Sequence, residues 1–297
     1  MAATAATAAL PLPKADMGKF DGVLIASDYD NTLVYTKGAM HAGFALPSLS
    51  PANHRAIESF IAQGGRFSVC TGRALPPFMA ICRDLPLNAP VILSNGAGIY
   101  DLTQEQYIYT NFLPGSVRDC IAQTLAAHPY AAAEVYHDGL EVHALQSNSV
   151  TRHHLAMTGL HAVELSDASR LPLPICKVLF QVEPEHMPVF IADITAQPWA
   201  AQFEIVPSLS SLLELTAKNA DKGTAVCRLA ELLGIDMAHV YCIGDEANDL
   251  PMLRCSAIPF APANAVDAVQ QLPELHLLPD CRHDAIAAMI AELEKIY

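Results

Sequence analysis

Two carboxylates separated by one residue, Asp28 and Asp30 in Ser27-Asp28-Tyr29-Asp30-Asn31-Thr32, are the first candidates for chemistry. In an extended segment, residues two apart share a side and stand roughly 7 Å apart along the chain. One carboxylate can then attack while the other reaches a leaving oxygen. The same triplet, read alone, is also what a solvated turn looks like. Further polar clusters follow at wide spacing: Thr71-Gly72-Arg73, Asn95-Gly96-Ala97, Lys222-Gly223 and Gly244-Asp245-Glu246-Ala247-Asn248-Asp249. Singly, these are common loop chemistry, an acidic turn and a solvated lysine. Together they offer hydroxyl, amide and ammonium donors for an anion, and carboxylates suited to a hard cation.

The elements that must position them are legible as short apolar runs, each ending in one of these clusters. Gly22 to Ser27 has the length and β-branched content of a buried strand and stops at Asp28. A helix is expected next, capped by Ser50 with Pro51 in its first turn, an apolar face of Ile57, Phe60 and Ile61, and an end at Gly64-Gly65. Arg66 to Cys70, Pro90 to Ser94 and Val240 to Ile243 read as further strands, stopping at Thr71, Asn95 and Gly244-Asp245. Strands alternating with helices imply parallel pairing, with all strand ends on one edge. Ligands of open α/β sheets bind along that edge, so Asp28, Thr71, Asn95 and Asp245 form a site hypothesis. Lys222 is expected to open a helix capped by Asp221 and closed by Gly234, whose N-terminus adds attraction for anions.

Residues 113–211 have a different texture. A helical period over Ser116 to His128, a hairpin around Asp138-Gly139, a strand at Lys177 to Val182 and a helix at Met187 to Ala196 suggest an inserted α+β unit.

The ordered motifs resemble those of the haloacid dehalogenase-type phosphatases. The place of the insertion, after the second motif and before the lysine, resembles the Cof-like branch, subfamily IIB with a C2-type cap, whose members often act on sugar phosphates. The fold this implies is α/β: a Rossmann-like parallel-sheet core (residues 21–112 and 212–297) with an α+β cap (113–211), after a flexible leader (1–20). The activity it implies is Mg2+-dependent hydrolysis of a small organic phosphomonoester. By resemblance, Asp28 is the nucleophile that forms an aspartyl phosphate. Asp30 protonates the departing alkoxide and then takes a proton from water. Mg2+ is held by Asp28, the backbone carbonyl of Asp30 and Asp245, with Asn248 and Asp249 completing or orienting its surroundings. Phosphate contacts fall to Thr71, Gly72, Arg73, Asn95, Gly96, Lys222 and Asn248. Within the cap, His137, His143 and Lys177 are candidates to choose the leaving group, each also readable as a packed or exposed residue. Asn31 stands where the family usually has glycine, and Glu246 where a small residue is common. A phosphosugar mutase is the alternative within the fold. A non-catalytic phosphosugar-binding regulator is the alternative of another class, opposed by the joint presence of Asp28, Asp30, Lys222 and Asp245.

Composition narrows the partners. A net charge of −14 argues against nucleic acid, whose phosphates require basic surfaces, while leaving a small phosphorylated metabolite possible given local positive groups. No uncharged apolar run approaches about 18 residues, so a membrane span is not expected. The eight cysteines lack a CxxC pair and read as thiols of a reducing, cytoplasmic setting rather than a zinc site. His153-His154 reads as a helix-surface pair. The Ala- and Thr-rich start, with Pro11 and Pro13, reads as a leader. Oligomeric state has no signal in the sequence.

Overall fold

Short apolar runs make the central sheet. β1 (Leu24–Ser27), β2 (Arg66–Val69), β12 (Val240–Ile243), β13 (Pro259–Pro262) and β14 (His276–Leu278) pair in the order β14-β13-β12-β1-β2, all parallel. The computed structural model describes residues 18–37 and 47–297. Side chains alternate across the sheet, as the pleat requires. Ile25, Phe67, Val69, Tyr241 and Ile243 enter one apolar cluster; Leu24, Ala26, Val240 and Cys242 enter another on the opposite face. A strand buried on both faces must be apolar throughout, which is why these runs show no alternation.

Helices cover both faces. α1 (Pro51–Ala62) and α9 (Ala285–Leu293) close the first cluster with Ile57, Phe60, Ile286, Met289 and Leu293. α6 (Lys222–Leu233) and α7 (Leu250–Cys255) close the second with Val226, Leu229, Met252 and Leu253. Local signals set the helix ends. Ser50 Oγ accepts the Asn53 N–H at 3.1 Å ahead of Pro51, and Asp221 Oδ1 accepts the Thr224 N–H at 2.9 Å ahead of Lys222. Gly234 ends α6 at φ 67°, a conformation in which a side chain is strained. The short helices α2 (Leu75–Met79) and α8 (Asp267–Gln270) lie in connections. Residues 1–17 of the expected leader lie outside the described residues, while Phe20 is fully buried with its ring 4.8 Å from Phe60.

The third expected strand forms as β3 (Val91–Leu93), with a difference in pairing. Its full partner is the antiparallel β4 (Gly98–Asp101), itself paired with β5 (Gln106–Thr110); a single parallel bridge, Cys70 to Ile92, ties β3 to the end of β2. Thr71 and Asn95 still emerge side by side, because the Thr71 N–H donates to Ile92 O at 2.9 Å and the Asn95 N–H to Thr71 O at 3.0 Å.

A second sheet contains β6 (Ala132–His137), β7 (Val142–Leu145), β8 (Ala162–Glu164), β9 (Ile175–Gln181), β10 (Phe203–Leu209) and β11 (Leu212–Ala217) in the order β10-β11-β9-β6-β7-β8. The expected boundary after residue 211 falls inside the β10–β11 hairpin. Leu212–Ala217 pairs antiparallel with both β10 and β9, so the inserted sheet runs to Ala217 before the chain returns to α6. α3 (Val117–Ala127) and α5 (Met187–Thr195) bury Val135, Val178, Phe180, Leu213 and Leu215 on one face. Alternation then turns Glu134, Tyr136, Lys177, Leu179 and Glu214 to the other face. α4 (Ser149–Thr158) docks by that face, where His154 Nδ1 lies 3.0 Å from the buried Glu134 carboxylate. His154 is thus bonded inward, in contrast to its expected surface placement, as a third partner of a buried carboxylate to which Tyr136 Oη and Gln181 Nε2 also donate. None of the described helices is long and apolar enough to cross a membrane, and all eight cysteines are free thiols.

Candidate active site

β1 lies between β2 and β12, so the chain leaves β1 in one direction and returns on its other side; the crevice beyond the strand ends opens there. Asp28 is the first residue past β1, anchored by its N–H donating to Ile243 O at 2.9 Å. The chain then turns back, with the Leu33 and Val34 N–H groups both donating to Tyr29 O. Asn31 occupies this turn at φ 59°. That conformation explains glycine as the usual residue there and asparagine as a tolerated replacement.

Lys222, at the first turn of α6, joins distant parts of the chain. Its Nζ donates to Asp28 Oδ1 at 2.6 Å and to Asp249 Oδ1 at 2.5 Å, with the side chain 1% exposed. The other oxygen of Asp249 accepts the N–H groups of Asp245 and Glu246, each at 2.9 Å. Gly244 permits this approach, since a Cβ at that position would sit 2.5 Å from the Asp249 Cβ. Asp245 in turn accepts the Thr32 hydroxyl at 2.7 Å. Thr32 was part of the first motif without an assigned contact; its hydroxyl two residues after Asp30 was the available signal.

The phosphate-side candidates gather around the same crevice. Thr71 is buried, and its hydroxyl oxygen accepts the Arg73 N–H at 3.1 Å. Gly96 sits at φ 99°, and a Cβ there would collide with the Asp221 carbonyl, so this loop lies directly on the start of α6. Asn248 Nδ2 donates to Asn95 Oδ1 at 3.0 Å. Gly72 packs beside Asn95, whose Oδ1 would lie 3.0 Å from a Cβ at Gly72.

Asp30 is placed differently from its partner. Arg73 grips it with two hydrogen bonds, Nε to Oδ2 at 2.8 Å and Nη2 to Oδ1 at 2.6 Å, while the guanidinium stands over the Tyr29 ring. Burial opposes ionisation of Asp30, but the Arg73 charge and hydrogen bonds, with Thr36 and Lys222 adding to them, together hold the carboxyl below its ordinary value. Of the cap candidates, Lys177 faces the crevice. His143 lies opposite Val135 on the helix-covered face, with its Nδ1 3.0 Å from His137 Nε2, and His137 Nδ1 is 3.0 Å from Pro174 O.

Charge in the crevice is unbalanced. Side-chain oxygens of Asp28, Asp245 and Asp249 lie within 4.8 Å of one another, and one lysine serves this buried group. Burial raises the Asp28 carboxyl well above its ordinary value, with Asp249 and Asp245 adding to the rise and Lys222 opposing it. For Lys222, burial favours the neutral amine, but Asp249 and Asp28 outweigh it and keep the ammonium charged. Burial, then Asp249, pushes Asp245 up to about 7. An all-oxygen, net-negative donor set suits a hard divalent cation, so the residues present fit magnesium. Asp30 contributes no side-chain oxygen to this group; Asp249 does.

Asp245 holds its proton more tightly in the fold than in the open chain. The fold favours the proton, so the metal-depleted protein loses stability as pH rises from about 4 to about 7. Mg2+ competes with that proton. With Asp28 raised as well, the apparent Mg2+ affinity is expected to weaken by at least about tenfold per pH unit below about 7. Calorimetric titration of Mg2+ into metal-depleted protein across this range measures the effect, and a flat profile would contradict it.

Comparison with known proteins bears on the family and the fold. Residues 25–290 match the haloacid dehalogenase-like hydrolases. The HMP-PP phosphatase of Serratia proteamaculans is 28% identical over 221 residues, covering 73% of this chain and 78% of its own. A haloacid dehalogenase-like hydrolase from Bacteroides thetaiotaomicron superposes with a TM-score of 0.79 at 20% identity, over 93% of this chain and 100% of that one. A protein described as a HAD subclass IIB sugar phosphatase superposes with a TM-score of 0.73 at 19% identity, over 92% and 99%. These two likenesses are of fold. The chain belongs to the haloacid dehalogenase-like hydrolases, in their Cof-like branch. It is a phosphoric monoester hydrolase.

Proposed function

We propose that the protein is a Mg2+-dependent phosphatase that transfers the phosphoryl group of a small metabolite, a sugar phosphate in the first instance, to Asp28 and then to water. The observation that carries this reading is the Lys222 ammonium bonded to both Asp28 and Asp249 within a buried carboxylate cluster at the sheet's switch point. The sugar-phosphatase description of one structural neighbour supports the substrate class.

The residues divide the work as follows. An Asp28 oxygen attacks phosphorus, and the bond from phosphorus to the ester oxygen breaks in line with it. Asp30 gives that oxygen its proton, then takes one from the water that attacks the aspartyl phosphate, restoring Asp28 and releasing inorganic phosphate. Lys222 and the donors around Thr71 stabilise the phosphoryl oxygens. Magnesium would be held by Asp28, Asp245 and the Asp30 carbonyl, with Asp249 and Asn248 to orient them, and would supply charge that screens the nucleophile from its anionic target. Arg73 holds Asp30 ionised in the substrate-free protein; a bound phosphoryl group offers the guanidinium another anionic partner, so that Asp30 takes up a proton from solvent as substrate binds and carries it to the leaving oxygen.

Asp30→Asn is therefore expected to lower kcat by about 10²- to 10⁴-fold while phosphate binding is largely retained. Phosphate release and inhibition by inorganic phosphate measure the two quantities. Loss of binding with no change in kcat would assign Asp30 a structural role. A panel of sugar phosphates, nucleotides and pyridoxal phosphate, assayed with and without Mg2+, tests the reading as a whole, and a bisphosphate requirement for turnover would point to the mutase instead.

A further inference from the structure

The inward face of the inserted sheet carries one buried ion pair aimed at the strand-end loops. Lys177 on β9 and Glu214 on β11 meet at 2.7 Å and are 5% and 8% exposed. The register pairs Glu214 with Leu179, so Lys177 is its diagonal neighbour on the same face. Two hydrogen bonds cross from this pair to the loops beside Asp28: Lys177 Nζ donates to Gly72 O at 2.9 Å, and Asn95 Nδ2 donates to Glu214 Oε2 at 2.9 Å. Gly72 follows Thr71, and Asn95 is bonded to Asn248, the residue next to Asp249 of the carboxylate group.

We propose that Lys177 and Glu214 form the subsite that binds neighbouring hydroxyls of the leaving group. This rests on the phosphatase reading, and it names residues for a choice that reading leaves open. In-line displacement places the leaving oxygen on the far side of phosphorus from Asp28, so the rest of the substrate projects toward the inserted sheet. The groups it meets there are an ammonium, which donates, and a carboxylate, which accepts. A hydroxyl can do both, so two adjacent hydroxyls can replace Gly72 O as acceptor for Lys177 and Asn95 Nδ2 as donor to Glu214. The pair is neutral overall and therefore offers no net attraction to a second anionic group. An alkyl leaving group would displace these partners and return none, leaving two buried charges short of hydrogen bonds. A buried ion pair gives little stability over an apolar replacement, which makes recognition the stronger account of its presence here.

The test compares two substrate types. The best substrate in a panel of polyol and sugar phosphates is paired with an alkyl or cycloalkyl phosphate of the same carbon count that has no free hydroxyl. The ratio of their kcat/KM values is read for the native protein, Glu214→Gln and Lys177→Met. The native ratio is expected to exceed about 10², as for sites built to bond a substrate hydroxyl. Each variant is expected to lower the ratio at least tenfold. A native ratio near one, or variants that slow both substrates equally and keep the ratio, would overturn the proposal. The native comparison holds even if a variant does not fold. Failure of the phosphatase reading is separate, showing as full turnover of both substrates by Asp28→Asn.

Discussion

Asp28→Asn is expected to lower phosphate release by at least about 10⁴-fold, the largest effect of any single change at the site. The amide keeps the shape of the carboxylate but has no charge with which to attack phosphorus. Unfolding cannot account for such a loss. Burial and the Asp249 and Asp245 charges already disfavour ionised Asp28, so exchanging it for a neutral group relieves the cluster. The metal-depleted variant is accordingly expected to unfold at the same temperature as the native protein or higher. Thermal melts beside steady-state assays separate the two effects, and a large fall in melting temperature would contradict the electrostatic account.

Lys222→Met is expected to damage both activity and stability. It leaves Asp28 without the ammonium at 2.6 Å and Asp249 without the one at 2.5 Å, both in a closed interior. Removing one partner from a buried pair typically costs about 3–5 kcal/mol, because the other charge stays desolvated. The cost should be largest near pH 8 and shrink toward pH 5, where the Asp28 carboxyl, raised by its burial, can take up a proton. Activity should fall by about 10³-fold or more, since a preorganised positive group facing the phosphoryl oxygens is lost. Urea unfolding at the two pH values measures the first effect. Equal destabilisation at both would contradict the assignment of Lys222 as the counter-charge. Lys222→Arg should not rescue, because the larger planar guanidinium has no room in a side chain 1% exposed.

Much of this arrangement is readable in the sequence, for identifiable reasons. β1, β2 and β12 are buried on both faces, so their apolar runs end abruptly where the polar groups begin, and Asp28, Thr71 and Asp245 stand at those ends. The start of α6 is equally plain, since Asp221 and Gly234 bracket it with local hydrogen bonding and backbone conformation. What depends on long-range pairing is not readable in this way. Glu214 interrupts the apolar run of β11 and resembles a surface charge until β9 brings Lys177 beside it. For the same reason the inserted unit was expected to end at residue 211, whereas β11 completes its sheet. The grip of Arg73 on Asp30 and the reach of Asp249 to Lys222 depend on loops from separate strands meeting at one edge. Spacing along the chain carries no information about which way those side chains turn.

The central claim is that phosphate passes through Asp28. Rapid mixing of the protein with substrate and Mg2+, acid quenching within the first turnover, and mass spectrometry of the peptide containing Asp28 test it most directly. The account predicts one added phosphoryl group on Asp28, removable by hydroxylamine as an acyl phosphate and absent from Asp28→Asn. A phosphorylated residue elsewhere, or rapid turnover by Asp28→Asn, would contradict it.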